Sequence, residues 1–169
     1  MWHIHKYWLI SANYFELVDT MFILSVMAGN LIFNRVGMWP YSLVTLPGTI
    51  THELSHFFMA KLFFANPSFP AIFPRREGDY WVMGSVSFSP TILNSIPIAL
   101  APLLLLPVGW LFSLYVFIPA TSWEYAIYGW IAGNMFYACL PSSQDWKVAA
   151  PAFVVLIAGF AFALYFDIV

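Results

Sequence analysis

His52-Glu53-Leu54-Ser55-His56 is an H-E-x-x-H pattern. On a helix, residues four apart stand one turn above each other on the same face, so the imidazoles of His52 and His56 can meet at one metal ion. Glu53 then lies beside them, where its carboxylate can take a proton from a water on that ion. The chemistry such a group performs is metal-assisted hydrolysis, and zinc is the usual ion for it. The setting is unusual, because the pattern interrupts an apolar stretch running from about Tyr41 to Ala65. Ionisable side chains at membrane depth are costly and mark function by default.

Composition supports that setting. The 169 residues are 62% hydrophobic, 20% aromatic and only 8% charged. Soluble domains carry about a quarter charged residues, so this chain cannot cover its surface with polar groups and its solvent must be largely lipid. The net charge of -2, with scattered Lys and Arg, gives no basic face for nucleic acid. The single Cys139 excludes an intramolecular disulfide and reads as a small buried hydrophobe rather than a metal ligand. No small-residue cleavage pattern follows the N-terminal apolar run, so no secretory signal is expected, and His3 and His5 read as part of a solvated or interfacial end.

Five apolar segments approach the roughly 20 residues that a membrane helix needs. They are about Val18 to Arg35, Tyr41 to Ala65, Thr91 to Ile118, Glu124 to Leu140 and Val148 to Asp167. The residues before Glu16 fit a helix lying in the interface. Pro97, Pro102 and Pro107 predict a kinked or broken third segment. Between the second and third segments, Asn66 to Pro90 holds a polar turn, Arg75-Arg76-Glu77-Gly78-Asp79, followed by the β-forming run Tyr80 to Phe88. That pattern predicts a β-hairpin. The expected fold is therefore an all-α polytopic membrane protein, a single domain over residues 1–169, with about five transmembrane helices and a small membrane-associated β-hairpin. If the five segments alternate in direction, the N-terminus, the hairpin and the Pro141 to Lys147 loop share one side with most of the Lys and Arg. The positive-inside rule makes that side, and the metal site on it, cytoplasmic.

A hydrolytic zinc keeps three protein ligands and one open position. With that topology, Glu124 and Asp167 fall at the far face, Glu16 and Asp19 precede the first span, and Glu77 and Asp79 belong to the hairpin turn. Asp145, just past the fourth segment, is the best third ligand. Ser142-Ser143-Gln144-Asp145 also fits a helix capping box, and one carboxylate can serve both purposes.

These parts resemble the site-2 protease family of intramembrane zinc metalloproteases. The resemblance rests on His52-Glu53-Leu54-Ser55-His56, the Asn66 to Pro90 loop, the small-residue-proline element Leu100-Ala101-Pro102 and Asp145, in that order, over about Tyr41 to Lys147. Ser55 stands where the family often has Gly. Asn134 and Pro141-Ser142-Ser143-Gln144-Asp145-Trp146 depart in spacing from the family's N-x-x-P-x-P-x-L-D-G pattern. The resemblance implies hydrolysis of peptide bonds in membrane-embedded or membrane-adjacent protein segments. One zinc ion would be held by His52, His56 and Asp145, with Glu53 as general base. Asn134 is a candidate donor to the tetrahedral oxyanion or, equally, an interhelical polar contact. A substrate segment could add as a strand to the hairpin's edge. Pro47-Gly48 would allow the metal helix to distort, or simply bend it. The competing readings are a non-catalytic membrane protein that retains the metal constellation and a metal-handling membrane protein.

Overall fold

The computed structural model describes residues 15–166. His3, His5, Lys6, the segment expected to lie in the interface and Asp167 fall outside the described residues. The fold is mostly helical, with one small two-stranded antiparallel sheet.

Helix α1 spans Leu17–Val36. Its start is capped by the Asp19 carboxylate, which accepts from the Glu16 amide at 3.0 Å. Gly37, at φ 152°, ends it. The expected second segment divides into α2, Met38–Val44, and α3, Leu46–Leu62. Pro47 sits in the first turn of α3 and has no amide hydrogen to continue the ladder of α2.

The third segment breaks as its prolines predict. It forms α4 at Ser95–Ala99, a 3-10 turn at Ala101–Leu104, α5 at Leu105–Phe112 and a π turn at Ser113–Phe117. Helix α6 spans Trp123–Tyr137, and α7 spans Ser143–Tyr165. By length and composition, α1 and α7 are the two described helices able to cross a membrane. The other described helices are shorter or broken, so five full-length membrane helices are not seen among the described residues.

The hairpin is present. β1 (Arg75–Glu77) pairs with β2 (Tyr80–Val82), and Gly78 supplies the positive φ of 62° that the tight turn requires. Pairing continues irregularly toward its base, through an Ala71 to Ser85 bridge and a bond from the Ser89 amide to the Ala65 carbonyl at 2.8 Å.

The contacts along α6 fix the direction of each element. Against α6, Asp19 meets Tyr125, Phe22 meets Gly129, Val26 meets Gly133 and Asn30 meets Asn134. Both helices advance together, so α1 and α6 are parallel. Six more residues carry α1 about 9 Å past Asn30. α2 then turns back: Tyr41 meets Tyr137, and Trp130 Nε1 donates to the Val44 carbonyl at 2.9 Å. α3 sets out again in the direction of α6, with Gly48 against Asn134 and His52 against Ala138. The broken third segment runs the opposite way, with Gly109 against Met135 and Phe117 against Gly129. The start of α1 therefore lies at the end of the bundle remote from His52. The N-terminus expected to share one side with the hairpin and the Pro141 to Lys147 loop lies outside the described residues, and the start of α1 is at the end opposite those two. Simple alternation counted α2 and α3 as one full crossing, whereas α2 only doubles back.

Close approach of α1 to α6 depends on Gly129 and Gly133, a G-x-x-x-G spacing. A Cβ on Gly133 would lie 2.7 Å from the Val26 Cβ and 3.3 Å from the Ile23 carbonyl oxygen. Gly133→Val should therefore cost about 1–3 kcal/mol through overpacking, read as a lowered unfolding midpoint in detergent. Gly29→Ala, where an added Cβ meets nothing within 4 Å, should not lower that midpoint and should raise it slightly through the better helix propensity of alanine.

Candidate metal centre

α3 carries His52 and His56 on one face, and α7 brings Asp145 to them from its first turn. Their ligand atoms all lie within 4.8 Å of one another. The two Nε2 atoms are 3.2 Å apart. Asp145 Oδ1 is 3.1 Å from His56 Nε2, and Oδ2 is 3.5 Å from His52 Nε2. Around a tetrahedral ion with bonds of about 2.0–2.1 Å, ligand atoms stand about 3.3 Å apart. The three side chains fit one such ion and leave a fourth position open.

The far side of each imidazole supports the same reading. His52 Nδ1 lies 2.7 Å from the Ala138 carbonyl oxygen, and His56 Nδ1 lies 2.8 Å from that of Ile98. A carbonyl oxygen only accepts, so each Nδ1 carries the proton and donates. In the neutral imidazole each Nε2 is then an unprotonated lone pair. Two such lone pairs facing each other beside a carboxylate suit a shared cation, which a proton or a metal ion can supply. Orienting a metal-binding imidazole through its other nitrogen is the usual outer-shell arrangement.

Asp145 does both things its sequence context allows. Its Oδ2 accepts from the Ser142 amide at 2.6 Å, and its own amide donates to Ser142 Oγ at 3.2 Å. The capping box that starts α7 thus holds the carboxylate toward the histidines.

Glu53 is 8% exposed, yet no group among the described residues hydrogen-bonds its carboxylate. A glutamate serving as a structural partner for the histidines would be bonded to them. A buried carboxylate without a partner is free to accept a proton. Ser55, the departure from the family's Gly, is accommodated by donating its hydroxyl to the His52 carbonyl at 2.6 Å.

Asn134 is not in the metal group. Its carboxamide is fully buried, accepts from Asn30 Nδ2 at 3.2 Å and donates to the Trp130 carbonyl at 3.0 Å. This is the interhelical contact weighed as its alternative, and the oxyanion role gains no support from the geometry. Cys139 packs with Leu105 and Met135 as a core hydrophobe and is not in the metal group either.

Three contributions to the site escaped sequence reasoning. The carbonyls of Ala138 and Ile98 are backbone groups and carry no sequence signal. Gly84 is the third: it lies against Glu53, and a Cβ there would stand 2.8 Å from both Cγ and Oε1 of that residue. A lone glycine inside a run of β-formers is a signal of close approach.

If the three side chains hold one ion, purified protein supplied with divalent metal should carry about one per chain. His56→Ala should lose it, and Asp145→Asn should weaken binding, both read by elemental analysis after dialysis. Full metal retention in both variants would contradict the assignment. Compared with known proteins, the chain matches no family model, no curated protein and no solved structure.

Proposed function

We propose that this chain is an intramembrane zinc metalloprotease of the site-2 protease type, cutting peptide bonds in membrane-embedded or membrane-adjacent protein segments. The observation that carries the reading is the convergence of His52, His56 and Asp145 beside a buried Glu53 without a hydrogen-bond partner. Imidazole and carboxylate ligands with one position open suit catalytic zinc. The order of motif, hairpin, small-residue-proline element and aspartate supports the family resemblance.

Lipid as the solvent is supported by the surface. Leu31, Ile32, Trp110, Leu111, Val154 and Ile157 are each at least half exposed, among many other large apolar side chains. Water-soluble monomers do not expose continuous apolar area on this scale. The proposed arrangement is multi-pass: α1, the broken third segment, α6 and α7 cross, while α2 and α3 dip in and return. Arg35, Lys61, Arg75, Arg76 and Lys147 then share the metal-site end. The positive-inside rule orients that end to the cytoplasm and the start of α1 to the other side.

A bound zinc would acidify a water and polarise the scissile carbonyl. Glu53 accepts the proton of the attacking water and returns it to the leaving amine nitrogen. Ala138 and Ile98 hold the two imidazoles so that Nε2 faces the reacting groups. Burial of Glu53 limits the water that reaches its carboxylate. The free edge of the hairpin offers main-chain groups to an extended substrate segment.

Glu53→Gln should keep its metal and lose cleavage of a transmembrane reporter in proteoliposomes by about 10²-fold or more. Cleavage at the wild-type rate by that variant would overturn the assigned chemistry.

A further inference from the structure

We propose that Gly84 is a positioning residue for the general base: the absence of a side chain there is what lets the hairpin seat the Glu53 carboxylate. The inference rests on the protease reading for its kinetic consequence, but the steric relation stands apart from it.

Gly84 lies at the base of the hairpin, far in sequence from α3. A Cβ added to it would meet Glu53 Cγ and Oε1 at 2.8 Å and Cδ at 3.0 Å. Ordinary carbon contacts lie near 3.5–4.0 Å, so something must move. The Gly84 backbone is held on both sides. Val82 pairs with Arg75, and Ser85 exchanges two hydrogen bonds with Ala71, at 2.9 and 3.0 Å. The Glu53 side chain has rotatable bonds and no hydrogen bond of its own, so the base is what yields.

The metal ligands are held independently. His52 is anchored by Ala138, His56 by Ile98 and Asp145 by Ser142. None of the three is among the atoms an added Cβ at Gly84 meets first. A methyl group at position 84 therefore separates the base from the metal. It displaces Glu53 and leaves the ligand set intact. An ångström of misplacement at a reacting group is enough to cost up to about 10²-fold in rate.

The test is Gly84→Ala in the full chain, reconstituted in proteoliposomes, beside wild type, Glu53→Gln and the double variant Gly84→Ala with Glu53→Asp. The expected result is one metal per chain, KM near wild type and kcat lowered about tenfold or more. The shorter aspartate should relieve the clash, so the double variant should be more active than the product of the two single effects. Substitution of Co2+ gives a readout that needs no turnover, because its visible spectrum responds to displacement of the nearby carboxylate. The Gly84→Ala spectrum should move from the wild-type one toward that of Glu53→Gln. A kcat within twofold of wild type, a Co2+ spectrum identical to wild type, or loss of metal or of the folded state would each overturn the proposal. If wild type itself cleaves nothing while the Gly84→Ala spectrum still moves, the protease reading falls and the positioning of Glu53 by Gly84 stands.

Discussion

Two imidazole nitrogens 3.2 Å apart, each ring donating its other nitrogen to a backbone carbonyl, present two lone pairs to the same point. A carboxylate faces them. A shared cation relieves the repulsion of the two lone pairs, and a metal ion placed there would have the three side chains as its ligands. The rest of the structure is arranged to hold that unfavourable grouping together. The donors' acceptors come from different elements, Ala138 following α6 and Ile98 within α4, while Asp145 comes from α7. The ends of α4 and α6 and the start of α7 must therefore meet at the middle of α3.

α6 is the element that makes this meeting possible. Small residues bring its backbone close to its neighbours: Gly129 and Gly133 admit α1, and Gly48 admits α3 at the Asn134 carbonyl. In lipid, where apolar burial gives little drive for helices to associate, close backbone packing and buried hydrogen bonds must supply it. The Asn30 to Asn134 amide pair and the Asp19 to Tyr125 bond hold the parallel register of α1 and α6 at two heights. By contrast, α7 packs only near its start, where Ala149 and Ala152 are buried, and most of its length beyond Phe153 is exposed. Its first turn carries Asp145 to the histidines, and the remainder has lipid for solvent in the proposed setting.

Much of this could be read from residue types. The H-E-x-x-H spacing placed two imidazoles on one helix face. The capping-box letters at Ser142 and Asp145 marked both a helix start and a carboxylate in reach, and the prolines of the third segment predicted where it breaks. The turn letters around Gly78 located the hairpin. Directions were not legible in the same way. Hydropathy shows where apolar runs lie, but α2 and α3 together look like one run, and only their contacts with Tyr137, Trp130 and Ala138 show that the first doubles back. Which end of the bundle gathers the Lys and Arg depends on that count. Asn134 shows a different limit. A buried amide at a suggestive spacing serves either chemistry or packing, and its partners, Asn30 and Trp130, are those of packing. Backbone groups such as the Ala138 and Ile98 carbonyls leave no trace in side-chain identity at all.

The central claim is a ligand set, so its most direct test is X-ray absorption fine structure at the zinc edge of metal-loaded protein in detergent. The account predicts four light-atom neighbours at about 2.0–2.1 Å, two of them with the outer-shell scattering of imidazole. A sulfur neighbour at about 2.3 Å, which would bring Cys139 into a closed structural site, would contradict it. So would a shell without imidazole.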